Sequence, residues 1–207
     1  MYWKIRKLWK KYPQYFWGDQ LDVRYYLCEK IAKLKNKKIL DIGCNIGIIS
    51  GCADQTNKVI GIDINKDTIK IAKQMHPNNK YLKQDLYEYK GEFDIIILAN
   101  MIDRKNQQKL IKKTLELLKK DGVLYLTSPN GANRYYKNKT TTLPTLAELT
   151  NWLEPRFTIE KIKLWNPTSI HIGHLAKFPG AYTLMRILST LNCKKSVGIY
   201  IKARKNG

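Results

Sequence analysis

The residues best placed to do chemistry stand in one short run, Asp41-Ile42-Gly43-Cys44-Asn45-Ile46-Gly47, where an apolar stretch gives way to a glycine turn. Glycine lets the backbone turn tightly and lets a ligand come close to the main chain. Twenty residues after Gly43, at the end of a second apolar stretch, stands Asp63. A carboxylate there can take both hydroxyls of a ribose. A nicotinamide dinucleotide would suit the same pair, but the loop lacks the G-x-G-x-x-G run. Cys44 reads as small buried filler of the turn rather than a nucleophile. Three histidines, His76, His171 and His174, are the side chains that titrate near neutrality and so the first candidates for a base. His76 reads as a surface residue or helix cap. His171 and His174 have a spacing that would suit a metal, yet no cysteine or acid stands beside them, so no metal is expected. Asp103, Tyr135 and Tyr136 are weaker catalytic candidates.

These residues need a scaffold, and the patterning supplies one. Lys38 to Ile42, Lys58 to Ile62, Lys80 to Leu82, Phe93 to Ala99 and Val123 to Thr127 read as strands. Between them, helices are expected directly after the glycine turn, over Lys66 to Met75 and over Gln108 to Lys119, the last ended by Asp121-Gly122. Strands alternating with helices predict an α/β fold, a parallel sheet covered on both faces. Leu21 to Leu34 reads as a preceding helix. Further on, Thr145 to Leu153 reads as a helix with a Thr145 and Glu148 capping box. Phe157 to Trp165 and Ser196 to Ala203 read as two more strands.

The glycine turn and the acids that follow it resemble the class I S-adenosylmethionine-dependent methyltransferases. That family's first motif is an acid, any residue, then three alternating glycines. Here it stands as Asp41, Gly43, Asn45 and Gly47, with asparagine, the non-glycine residue most tolerant of positive φ, in the middle. Gly61-Ile62-Asp63-Ile64 is similar to the second motif and Gln84-Asp85-Leu86 to the third. Phe93-Asp94 and Lys120-Asp121-Gly122-Val123-Leu124 resemble the openings of the fourth and fifth strands. The match covers about residues 36–165. It implies a Rossmann-like seven-stranded sheet of order 3-2-1-4-5-7-6, strand 7 antiparallel. It implies that Gly43, Cys44, Asn45 and Gly47 form the loop under the methionine portion of S-adenosyl-L-methionine, with Asp41 holding the amino end. Asp63 would bind the ribose and Asp85 the adenine, whose ring would lie between Ile64 and Leu86. Ala99 and Asn100 would lie near the methyl group.

The acceptor is less legible. Methylases of exocyclic base amines that resemble this family carry an Asn/Asp-Pro-Pro-aromatic run after the fourth strand. Here that place reads Asn100-Met101-Ile102-Asp103, so such an acceptor is disfavoured, although Asn100 can orient another. Thr127-Ser128-Pro129-Asn130 and the helix from Leu146 resemble the small-molecule branch. A small, lipid-linked or glycan acceptor methylated at oxygen is therefore expected. A tRNA or rRNA acceptor is the alternative, and a non-catalytic binding module is the third reading.

The RNA alternative rests on charge. The 207 residues carry 38 basic and 17 acidic groups, a net of +21. Residues 1–40 hold 11 basic against 3 acidic groups and residues 131–207 hold 13 against 3, while the middle is nearly balanced. Such flanks suit RNA or an anionic membrane surface, as does the alternation of aromatics and lysines from Tyr2 to Trp17. At 43% hydrophobic residues, wholesale disorder is excluded. Cys28, Cys44, Cys52 and Cys193 make no metal-type pairs and suggest a reducing compartment. With no apolar run near the roughly 18 residues a bilayer span needs, and no secretory leader, the expected location is cytoplasmic, peripheral to a membrane at most. Residues 1–35 are expected to form a basic aromatic arm and helix, and 36–207 the main domain. Within the latter, the long connection 166–195 is expected to cover the acceptor as a lid.

Overall fold

A computed structural model describes residues 10–12, 21–133, 142–165 and 196–207. Its sheet has seven strands: β1 (Lys38–Ile42), β2 (Lys58–Asp63), β3 (Lys80–Lys83), β4 (Phe93–Ala99), β5 (Leu118–Pro129), β6 (Phe157–Trp165) and β7 (Gly198–Lys205). Their order is β3-β2-β1-β4-β5-β7-β6, the expected one. The first five run parallel, and β7 lies antiparallel between β5 and β6.

The apolar runs without polar alternation are explained by burial on both faces. Ile39, Ile95, Ile97, Val123 and Tyr125 face helix α1 (Leu21–Ile31), whose Val23, Leu27, Cys28 and Ile31 are fully buried against them. The intervening Leu40, Ile96, Leu98, Leu124 and Leu126 face α3 (Gln107–Leu117) and α4 (Leu146–Leu153). Helix α1, grouped by sequence with the N-terminal arm, thus packs into the main core. A smaller cluster joins Cys44 and Tyr81 to Ile69 and Ala72 of α2 (Lys66–Met75).

Local signals explain most boundaries. Asn65 caps α2 by accepting from Asp67 N and Thr68 N, and Thr145 and Glu148 form the expected capping box on α4. Several boundaries differ from the sequence reading: the first helix ends at Ile31 rather than Leu34, and β7 starts at Gly198 rather than Ser196. No α-helix follows the glycine turn: three residues of left-handed φ, at 43, 45 and 47, hold off regular structure. Only a single 3-10 turn, Ser50–Cys52, fits before the chain extends at Ala53. Helix α3 stops at Leu117, and strand pairing starts at Leu118 rather than Val123. Asp121, with φ 57°, is absorbed into β5 as an irregularity and does not end a helix.

The expected site residues His171 and His174, the candidates Tyr135 and Tyr136, most of the basic aromatic arm and the 166–195 connection lie outside the described residues. Among the described residues no helix is long and apolar enough to cross a membrane.

Candidate active site

In a parallel sheet every strand delivers its last residue to the same edge, so chemistry read from distant positions converges there. The register shows the convergence: Ile42 lies beside Ile62 and Leu98, Asp63 beside Lys83, and Ala99 beside Thr127. Gly43, Asp63, Asp85, Asn100 and Thr127 therefore share one edge.

The glycine loop is built from three alternating left-handed residues, Gly43 (φ 66°), Asn45 (φ 52°) and Gly47 (φ 75°). Asparagine takes the middle place as expected, and its side chain helps: Asn45 Oδ1 accepts from Ile46 N at 2.7 Å. The backbone conformation matches a glycine at all three positions. At Gly43 a Cβ would stand 2.3 Å from Met101 Sδ, so the loop and the segment after β4 are in close contact. Cys44 donates its amide to Ile62 O at 3.0 Å and is buried, and burial together with Asp41 and Asp63 pushes its thiol well above the ordinary range. It packs as filler.

Two acids hold the loop from either side. Asp63 accepts from Asn45 N through Oδ2 at 3.0 Å and from Asn65 N through Oδ1 at 2.9 Å. Each carboxylate oxygen retains acceptor capacity for a diol. Asp41 lies beneath the loop, 1% exposed, and accepts from Ser50 N at 3.3 Å. Burial raises its carboxyl from 3.8 to about 7, against the pull of Ser50 and with a further push from Asp63.

Next to Asp63, Ile64 is 72% exposed, an apolar side chain at the strand end with its face open. Asp85 is exposed and caps a short 3-10 turn by accepting from Tyr87 N at 2.8 Å, while Leu86 behind it is buried in the core. Opposite, Asn100 adopts φ 59° and donates its amide to Thr127 O at 2.9 Å. Both polar atoms of the Asn100 carboxamide and the hydroxyl of Thr127 are buried without a hydrogen-bond partner. Buried polar atoms are almost always satisfied, so this pair calls for a partner that the described residues do not supply. Asp103 spends Oδ1 on Lys105 N and Asn106 N, folding its own loop. His76 caps α2 and sits half-buried behind the glycine loop, where burial lowers the pKa of its imidazole.

The arrangement fits S-adenosyl-L-methionine. The glycine cradle, the carboxylate of Asp63, the exposed Ile64 and the acids of this edge suit a nucleoside bearing cationic groups. Thr127, Ser50 and Tyr81 were not legible as site residues. Thr127 stands in a run noted only for its resemblance, and its pairing with Asn100 depends on the β4–β5 register. Among the described residues no cluster of ligating side chains is placed to hold a metal.

Comparison with known proteins agrees. The profile of a family described as a methyltransferase domain matches residues 20–179. The ubiquinone biosynthesis O-methyltransferase of Pelagibacter ubique (strain HTCC1062) is 33% identical over 112 residues, covering 50% of this chain and 46% of that protein. Its namesake from Glaesserella parasuis serovar 5 is 30% identical over 125 residues, covering 54% and 53%. The chain thus spans about half the length of these curated relatives. Among solved structures, the N-methyltransferase NodS of Bradyrhizobium japonicum WM9 in complex with S-adenosyl-L-homocysteine superposes with a TM-score of 0.65 at 13% identity. That match covers 89% of this chain and 86% of NodS. With the matched family profile extending over most of its length, this chain belongs to the methyltransferase-domain family, on the class I S-adenosylmethionine-dependent fold.

Proposed function

We propose that this chain transfers a methyl group from S-adenosyl-L-methionine to an oxygen of a small or lipid-linked acceptor. The observation that carries the acceptor side is the orphaned Asn100 and Thr127 pair. A carboxamide and a hydroxyl at the ends of neighbouring strands offer both a donor and an acceptor to an acceptor hydroxyl. The names of the relatives, ubiquinone biosynthesis O-methyltransferases, support oxygen as the target.

In this reading Gly43, Asn45 and Gly47 carry the methionine portion, Asp63 takes the ribose hydroxyls, Asp85 the adenine, and Ile64 and Leu86 flank the ring. When bound, the sulfonium supplies an already activated methyl group. The chain's own work is then alignment: Asn100 and Thr127 hold the acceptor oxygen in line. The 166–195 segment as acceptor cover belongs to the same proposal.

The test is calorimetric titration with S-adenosyl-L-methionine and S-adenosylhomocysteine, with NAD as control. Labelled methyl transfer into a catechol, an oligosaccharide and transfer RNA follows. Micromolar binding of the sulfur compounds and label in the catechol support the proposal. Label in RNA alone would make the basic flanks the acceptor site, and binding of NAD alone would overturn the cofactor.

A further inference from the structure

Behind the glycine loop lies a buried polar chain that no part of the proposed chemistry uses. Tyr81, in the middle of β3, points its ring across Gly61 of β2 towards Gly47. A Cβ on Gly61 would stand 2.6 Å from the Tyr81 ring, and one on Gly47 would stand 2.6 Å from its hydroxyl oxygen. Two glycines thus leave the space that one tyrosine fills. The hydroxyl meets Ser50 Oγ at 3.3 Å and accepts from Asn79 Nδ2 at 3.4 Å. Asn79 Nδ2 also donates to Ser50 O at 3.2 Å. Ser50 in turn donates its amide to Asp41 Oδ2 at 3.3 Å, and its hydroxyl also favours the charged carboxyl.

From this geometry we infer that Tyr81 is a positioning residue for the cofactor: through Ser50 it fixes both the height of the glycine loop and the orientation of the Asp41 carboxyl beneath it. The inference rests on the cofactor reading above. Asn79 donates to the Tyr81 oxygen, and in this inference the phenol proton goes to Ser50, which leaves the Ser50 proton for Asp41. Burial pushes the Tyr81 phenol up to about 12, so it keeps that proton. A donor chain ending on a carboxylate favours the charged form, and each link strengthens the next. The charged form is the one that attracts a cationic ligand.

Other groups also face Asp41 or its partners. Asp63 lies across the loop and Cys44 within it. Cys28 of α1 feels Asp41, with Arg24 of the same helix acting on Cys28. The His76 ring lies tilted with its centroid 6.3 Å from that of Tyr81, and a Cβ on Gly51 would meet its imidazole. None of these donates a hydrogen bond to Asp41. Tyr81 and Ser50 therefore act on it separately from the surrounding charges.

The test uses the whole chain and S-adenosyl-L-methionine itself, titrated calorimetrically across pH 6 to 8, for wild type, Tyr81→Phe, Ser50→Ala and the double variant. Tyr81→Phe keeps the ring and removes the hydroxyl. Its affinity at pH 7 should fall about fivefold, the scale of one lost hydrogen bond. The pH at which affinity is half-maximal should move upward, because Asp41 loses support for its charge. Ser50→Ala should do at least as much, and the double variant no more than Ser50→Ala alone. Uniform weakening with an unmoved midpoint would reduce Tyr81 to packing and overturn the inference, as would wild-type affinity in Tyr81→Phe. Should Tyr81→Phe fail to fold, an unmoved midpoint in Ser50→Ala overturns it equally. Wild-type protein that binds no S-adenosyl-L-methionine would instead overturn the cofactor reading, and this inference with it.

Discussion

The two halves of the sheet's carboxyl edge treat their carboxylates in opposite ways. Under the glycine loop Asp41 is buried, with no cation paired to it among the described residues, and its carboxyl is raised to about 7. Across the edge Glu148, at the start of α4, is gripped by Nε and Nη2 of Arg104 at 2.7 and 2.8 Å and by Thr145, and its carboxyl is lowered to about 2. The first is a charge the fold tolerates at a cost. The second is a charge the fold uses as a clasp, tying the loop after β4 to α4. Strain and unpaired polar groups collect where a ligand is to complete the bonding, and satisfied pairs collect where the frame must hold. The contrast can be broken from either side.

The largest effect is expected at the loop itself. Gly47→Ala places a side chain at φ 75° and 2.6 Å from the Tyr81 hydroxyl oxygen. The backbone strain and the displaced tyrosine together should cost about 3 kcal/mol in chemical denaturation, with cofactor binding lost alongside. Asp63→Ala comes next. It removes the acceptor for Asn45 N and the partner proposed for the ribose, so affinity for S-adenosyl-L-methionine should fall about a hundredfold, or about 2.7 kcal/mol. Unchanged affinity in that variant would move the nucleoside elsewhere on the edge.

Asp41→Asn should show the cost directly. A carboxyl held near 7 in the folded chain, against 3.8 ordinarily, keeps its proton longer in the folded state than in the unfolded one. Its stabilising contribution is therefore complete below about pH 4 and is lost as pH rises to about 7. The ceiling on that loss is about 4 kcal/mol, and imperfect bonding of the amide should leave a gain of ~2 kcal/mol for Asp41→Asn at pH 8, with none at pH 4. The same variant should bind S-adenosyl-L-methionine about tenfold more weakly, so stability and affinity separate at one residue. Urea denaturation at the two pH values checks the first half and calorimetry the second. A variant less stable at pH 8 would contradict the buried charge.

The cofactor half was legible because its chemistry is written locally. Asp41 to Gly47, Asp63 with Ile64, and Asp85 with Leu86 are each contiguous, and strand order alone brings them together. The strands themselves, though not the start of β5, were legible for the same reason: β-branched apolar runs have few alternatives inside a covered sheet. The helix expected after the glycine turn failed because Ile46, Ile48 and Ile49 offer apolar residues but the backbone has already spent residues 43 to 47 on left-handed turns. The other half is written in pairs far apart. Arg104 meets Glu148 from 44 positions away, and Asn130 donates to Ser196 Oγ from 66 away. The orphaning of Thr127 exists only once β4, β5 and β7 are assembled. Tyr81 likewise carries no signal until Gly47 and Gly61 are seen to leave it room. Residue type identifies a ligand group when its neighbours in sequence are its neighbours in space, and not otherwise.

The clasp gives the smallest expected effect and the sharpest control. Glu148→Gln keeps the shape of the capping box but ends the charge pairing with Arg104. A carboxyl lowered from 4.5 to about 2 lends stability that is complete above pH 4.5 and is lost as pH falls towards 2, the reverse of Asp41. The side chain is 34% exposed, so solvent screening holds the contribution to ~1 kcal/mol, well below what the shift alone would suggest. Denaturation of Glu148→Gln should therefore show a loss of that size at pH 7 that vanishes near pH 2, and 0.5 M salt should shrink it, because part of the pairing is screened. Affinity for S-adenosyl-L-methionine should stay within twofold of wild type, since nothing in the clasp touches the glycine loop. A large fall in that affinity would mean that the two halves of the edge are coupled through the loop after β4, where Met101 lies against Gly43, and the division of labour between them would have to be redrawn.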